Sequence, residues 1–288
     1  GGTGKTPLLK AMAEWCEARG HSACVVTRGY GADEVSLYRR WLGSDRALIA
    51  PERQEGLVRA ARAGLDVALM DDGFQHRRAS RSLDLLLVSA DAPHPPRLLP
   101  WGPYREPLRS AGRADLVLVT HRPGGAEPAP WLARMTQEVA DVPVLPLALG
   151  PLGWRPMSND RGEHEGDGEG GGAAGNPWSA AVPDGSVLAV ASTADPSGFL
   201  RLVRATRPDL DVELAPYPNH FEYGPEEARD LVRRAGQRSI LTTEKDAVKL
   251  DSFEALRERA WVVGFGVAEP LPSALTTRLE RVLEGTLP

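Results

Sequence analysis

The chain opens on GGTGKT, Gly1 to Thr6, and this hexapeptide restricts the fold more than anything after it. A P-loop has the form G-x-x-x-x-G-K-[ST] and lies where a strand runs into a helix. Its glycines let backbone amides wrap phosphate oxygens, its lysine reaches the β- and γ-phosphates, and the hydroxyl that follows binds Mg2+. Gly1, Gly2, Thr3, Gly4, Lys5 and Thr6 fill the second half of that pattern. Its first residue, and the strand that delivers it, are therefore expected upstream of Gly1. Lys5 is expected both to hold nucleotide and to serve the chemistry, and Thr6 to stand on the metal side.

The segments that follow fit a P-loop fold. KTPLLKAMAEWCEARG has apolar residues at helical spacing and closes on Gly20. HSACVVTRGYG, LDVALMDDG, LDLLLVSAD and ADLVLVTH are apolar strands, and EVSLYRRWLG and PERQEGLVRAARAG are helices between them. Nearly continuous apolar runs are expected where helices cover both faces of a parallel sheet. The alternation predicts an α/β, P-loop NTPase-like fold with a doubly wound, mostly parallel sheet. SNDRGEHEGDGEGGGAAGNP has almost nothing to bury and reads as a disordered linker. Beyond it the strands GSVLAVAS, DVELAPYP, RSILTTEKD and AWVVGFG alternate with helices and predict a second, smaller α/β domain. The expected boundaries are 1–157, 158–177 and 178–288.

A formal charge of -5 argues against nucleic acid as the main partner, since gripping a phosphate backbone needs a basic excess. Cys16 and Cys24, the only two cysteines, make neither a disulfide framework nor a zinc site. No run reaches the roughly 18–20 apolar residues of a membrane-spanning helix, and no signal peptide is visible in the printed sequence.

The strand of DVALMDDG ends in Asp71 and Asp72, where a Walker B acid can hold Mg2+ directly or through water; Asp-Gly also favours a plain turn. After the preceding strand, RGYGADE sets Arg28, Tyr30, Asp33 and Glu34 at a strand end, where ligands of open α/β sheets collect. On spacing alone Asp33 is equally an acceptor-side group or the N-cap of a helix beginning near Val35.

RGYG, DDGFQHRR, LLPWGPYREPL and LTTEKDAVKL, in this order, make the sequence resemble the tetraacyldisaccharide 4'-kinases, the lipid A 4'-kinases of Gram-negative envelope biosynthesis. The resemblance runs from Gly1 to about Leu250. It implies transfer of the ATP γ-phosphate, with Mg2+, to the 4'-hydroxyl of a tetraacylated glucosamine disaccharide 1-phosphate, the lipid A precursor. It further implies work by a monomer at the cytoplasmic face of the inner membrane, through a segment upstream of residue 1. ADEV matches the family's G-D-E-P segment, making Asp33 the general base and Glu34 a ligand on the Mg2+ side with Thr6, Asp71 and Asp72. NHFEY matches the segment whose histidine is paired with that base, hence His220. Arg105 and Glu106 of GPYREP match a segment lining the cleft, with Arg105 on nucleotide. Phe74, Gln75 and His76 would shape the site, and Lys245 and Asp246 would position the domain interface. This sequence joins RGYG almost directly to ADEV, without the family's usual intervening stretch. Two other readings stay open: a partition-type or regulatory P-loop ATPase, and a related kinase with another acceptor.

Overall fold

Leu8, Met12, Ala13 and Cys16 recur on one face of α1 (Lys5–Glu17), and all four are buried. The computed structural model describes residues 2–29, 32–76, 79–93, 95–102, 104–158, 178 and 183–286. Gly1, Tyr30 and residues 159–177, nearly all of the expected linker, lie outside the described residues. By its contacts the chain divides into two units, residues 1–149 with 267–288, and 150–266.

In the first unit α1 is followed by β1 (Ala23–Thr27), α2 (Ala32–Leu42), β2 (Ala47–Ile49), α3 (Arg53–Arg62) and β3 (Val67–Met70). β1 is the centre of a parallel sheet of order β2-β1-β3, in register through Val25↔Ala47 and Val25↔Leu69. Then come β4 (Leu85–Ser89), a 3-10 turn over Leu108–Arg113, β5 (Leu116–His121), α4 (Ala129–Glu138) and β6 (Val144–Pro156), of which residues 150–156 are counted with the second unit. β4, β5 and the first half of β6 are parallel neighbours, paired through Val119 with Val88 and Pro146. Trp131 and Met135 of α4 pack on Val117 and Val119 of β5. Each side chain of this size, when fully buried, contributes roughly 1.5–3 kcal/mol against exposure.

Burial on both faces holds for β1 and for most of β5. It fails for β3, where Ala68 is exposed, and for β4, which is half-buried along most of its length. Both are edge strands, so neighbours cover them on fewer sides. β6 was not legible beforehand: its Pro146, Pro151 and Pro156 argue against a strand interior.

In the second unit β7 (Ser186–Ala191), α5 (Pro196–Thr206), β8 (Asp211–Pro216), α6 (Pro225–Ala235), β9 (Ser239–Thr243), α7 (Glu244–Leu250), α8 (Glu254–Arg257) and β10 (Ala260–Val267) follow in turn. β10-β9-β7-β8 is parallel throughout, with β7 paired to β9 on one side and β8 on the other. The strand expected over RSILTTEKD stops at Thr243, whose hydroxyl accepts from the Asp246 amide and starts α7. Glu244 and Asp246 are thus helical. The last helix, α9 (Ser273–Leu283), belongs to the first unit.

Candidate phosphate-binding site

Gly2 and Gly4 hold left-handed φ values of 92° and 85°. The φ of Gly4 calls for glycine there, and a Cβ would also stand 2.5 Å from the movable Leu149 Cδ1. At the end of β5, Thr120 Oγ1 donates to the Thr3 carbonyl at 3.0 Å and ties the loop to the sheet. Gly4 caps α1 with no side-chain hydrogen bond, and the first turn carries no acid. The helix start therefore keeps its positive dipole end and uncapped amides for an anion.

The two Walker carboxylates are treated differently. The Asp71 amide donates to the Val26 carbonyl at 3.0 Å, prolonging the β1–β3 pairing, and its own carbonyl accepts from Arg53 Nη2 at 2.6 Å. Its carboxyl is buried, and Oδ1 has no hydrogen-bond partner among the described residues. Burial first, then the charge of Asp72, raise its pKa, against the pull of Lys5. Asp72 turns outward in a left-handed conformation, φ 55°, which aspartate tolerates better than most residues. Its Oδ1 lies 3.1 Å from Lys5 Nζ.

From α2 come Asp33 and Glu34. Asp33 is buried, and its Oδ1 accepts from the Glu34 amide at 3.0 Å. α2 begins at Ala32, not near Val35, so Asp33 sits inside the first turn and is not that helix's N-cap. Glu34 is one of the charges acting on Asp71. One turn further, Tyr38 is 1% exposed, and its hydroxyl lies beside Thr6 and Asp71 without a well-formed hydrogen bond to either. Burial, then the Asp71 charge, push this phenol well above its ordinary range.

Past Asp72 the chain carries a polar chain of contacts. Arg105 Nη1 donates to Gln75 Oε1 and Gln75 Nε2 to Glu106 Oε1, each at 3.2 Å. Arg113 Nη2 donates to Glu106 Oε2 at 3.0 Å, and its guanidinium covers the Phe74 ring at 4.8 Å. The Arg113 bond holds the Glu106 carboxyl below its ordinary value.

The first unit thus brings Lys5, Thr6, Glu34, Tyr38, Asp71 and Asp72 together, and brings Arg105 to Gln75. Gly1 is outside the described residues. His220 lies in the second unit, exposed after β8 at φ 59°. Tyr38 and Arg53 were not singled out from the sequence. Tyr38 had one available signal, since it falls four residues after Glu34 and so on the same helical face; Arg53 had none.

Among the described residues no three acidic, histidine or cysteine side chains converge as a metal cage. Mg2+ bound with a nucleotide does not need one: one or two carboxylates, a hydroxyl and substrate phosphates suffice. The buried Oδ1 of Asp71, without a partner among the described residues and with Asp72 beside it, fits that donor set, and Thr6 lies across the Tyr38 hydroxyl.

The family described as Tetraacyldisaccharide-1-P 4'-kinase matches residues 1–41 and 32–284. The chain is 31% identical over 320 residues to the "Tetraacyldisaccharide 4'-kinase" of Pelobacter propionicus, covering 99% of this chain and 81% of that protein. It is 32% identical over 318 residues to the protein of the same name from Geobacter metallireducens, covering 98% and 85%. For the one from Anaeromyxobacter sp. strain K the identity is 32%, covering 88% and 70%.

The chain belongs to the tetraacyldisaccharide-1-P 4'-kinase family. The two matched stretches overlap at residues 32–41, directly after RGYG. Membership removes the partition-type ATPase reading. No helix among the described residues is long and apolar enough to cross a membrane.

Proposed function

We infer that the chain transfers the ATP γ-phosphoryl group to the 4'-hydroxyl of a tetraacyl glucosamine disaccharide 1-phosphate, in lipid A biosynthesis. The family match along nearly the whole chain carries this reading, and the arrangement at Lys5, Thr6, Asp71 and Asp72 supports it. Phosphoryl transfer asks a protein mainly for positioning and charge neutralisation. The Gly2–Gly4 backbone and the start of α1 would hold the phosphates, with Lys5 on their β and γ oxygens. Mg2+, when bound, would supply positive charge against the negative charge that develops during transfer. Thr6, Asp71 and Asp72 are the residues that would hold it, with Glu34 beside them.

Asp33 is the inferred base. Its carboxylate would take the proton of the 4'-hydroxyl, held in orientation by the Glu34 amide on Oδ1. His220 is inferred to assist with that proton, on the strength of its place in NHFEY. Arg105 is inferred to reach nucleotide from its exposed position. The acceptor carries four acyl chains, so the protein is inferred to meet it, as a monomer, at the cytoplasmic surface of the inner membrane.

The test is transfer from γ-labelled ATP to the tetraacyl disaccharide 1-phosphate and to its 4'-deoxy analogue. Label at the 4' position of the first, and none on the second, is the expected result. Label appearing only on a different acceptor would replace this reading with that of a related kinase, which the shortened RGYG-ADEV junction keeps in play.

A further inference from the structure

Asp246 is fully buried at the third position of α7. In a capping box an acidic side chain here reaches back to the N-cap amide. Asp246 instead gathers donors from three other places. Its Oδ2 accepts from the Ser192 amide at 3.0 Å and from Thr243 Oγ1 at 2.8 Å. Its Oδ1 accepts from the Ser192 hydroxyl and from the Tyr223 hydroxyl, the latter at 3.1 Å. A buried carboxylate with both oxygens doubly engaged is a rigid centre, because each donor would be left unsatisfied without it.

The donors share one destination. Ser192 follows the last residue of β7 and Thr243 ends β9, so both stand at the carboxyl edge of the unit's parallel sheet, where open α/β sheets place ligands. The Ser192 carbonyl accepts from the His220 amide at 3.2 Å. Lys249, one turn along α7 from Asp246, donates to Ser192 Oγ at 3.2 Å and to the Phe221 carbonyl at 3.0 Å. Tyr223 closes the segment on Asp246 itself. His220, Phe221 and Tyr223 are therefore each fastened to Asp246, or to Ser192 and Lys249 around it. Between these fastenings His220 holds a left-handed φ of 59°, a conformation unfavourable for a non-glycine residue that persists only where its surroundings over-determine it.

We propose that Asp246, acting through Ser192 and Tyr223 and together with Lys249, is the positioning residue that holds His220 in its strained, exposed place for the transfer step. This rests on the reading of His220 as an assistant to the acceptor proton. Asp246 itself, being buried, touches neither nucleotide nor acceptor. It explains why a T-x-x-D helix start, TTEKD, stands so far along the chain from the phosphate loop: the carboxylate serves the NHFEY segment.

A double-mutant cycle tests it. Asp246→Asn and Tyr223→Phe are made in the wild-type and in the His220→Ala proteins, and kcat, the KM for ATP and the thermal midpoint are measured. Asn offers a single acceptor oxygen to four donors. Phe removes one hydrogen bond and keeps the ring contacts with Tyr217 and Phe221, at 5.0 and 5.3 Å. Expected are a fall in kcat on the order of 10²-fold for Asp246→Asn, as for a reacting group misplaced by an ångström, and about 3- to 10-fold for Tyr223→Phe. The KM for ATP stays put, and neither change lowers kcat further once His220 is alanine. If Asp246→Asn does not accumulate as folded protein, Tyr223→Phe decides alone. Losses that persist undiminished in the His220→Ala background, or no loss of kcat in Tyr223→Phe, overturn the proposal and leave the reading of His220 intact. Wild-type kcat in His220→Ala overturns both.

Discussion

Lys5 Nζ and Asp72 Oδ1 are 3.1 Å apart, with both side chains substantially open to solvent. An exposed pair of this kind adds little to stability, so its worth is positional. It parks the ammonium beside a carboxylate that is inferred to serve the metal side. Lys5→Ala is expected to lower kcat by about 10²–10³-fold, the cost of losing one aimed charge, with a stability change within roughly 0.5 kcal/mol. Steady-state kinetics and a thermal melt check both, and unchanged turnover would remove Lys5 from the chemistry.

Asp71 makes the opposite trade. Its pKa is raised in the fold, chiefly by burial. Stability linked to its proton is therefore complete below the unfolded value of 3.8 and lost as pH climbs through the folded one. Burial makes the ionised form of Asp71 the disfavoured one in the ligand-free protein. Asp71→Asn should raise the thermal midpoint without nucleotide by a few degrees, at roughly 2–4 °C per kcal/mol, while activity collapses. A lower midpoint would contradict the burial account.

The left-handed glycines and the strand that ends at Asp71 were legible in the sequence, for identifiable reasons. Gly4 and Lys5 read as a phosphate loop because their residue types are dictated by backbone conformation and charge. Asp71 and Asp72 read as metal-side acids because an apolar strand delivers them. Asp33 was open on spacing between acceptor-side group and N-cap, and only the true start of α2 at Ala32 removes the second choice. Tyr38 left only its helical spacing from Glu34 as a trace and Arg53 none, because their partners, Thr6 and Asp71, are brought to them by the tertiary fold. Asp246 was noticed as part of a signature and read as an interface residue. Its engagement with Ser192, 54 residues away, has no local trace.

Asp33 is inferred to act on the acceptor's proton and not on the nucleotide. Asp33→Ala should then lower kcat by about 10²–10⁴-fold with the KM for ATP nearly unchanged. A loss that falls chiefly on ATP affinity would reassign Asp33 to the metal side or to the fold.

Cys16 and Cys24 are buried, and burial pushes both thiols from 9.0 up to about 11. Their stabilising effect is whole below the unfolded value and lost as pH rises through the folded one. Stability should therefore fall between pH 9 and 11, and native protein at neutral pH should resist alkylation until it unfolds. Urea titrations across that window check the first and mass-resolved iodoacetamide labelling the second. Cys24→Ala should flatten the alkaline fall, and rapid labelling of the folded protein would contradict the burial.

The most direct test of the central claim is calorimetric titration of ATP into the complete protein, with Mg2+ and with EDTA, alongside Lys5→Ala and Asp72→Asn. The account predicts saturable binding that requires Mg2+ and is weakened in both variants. Binding indifferent to Mg2+ and to both substitutions, or no binding in any condition, would contradict it.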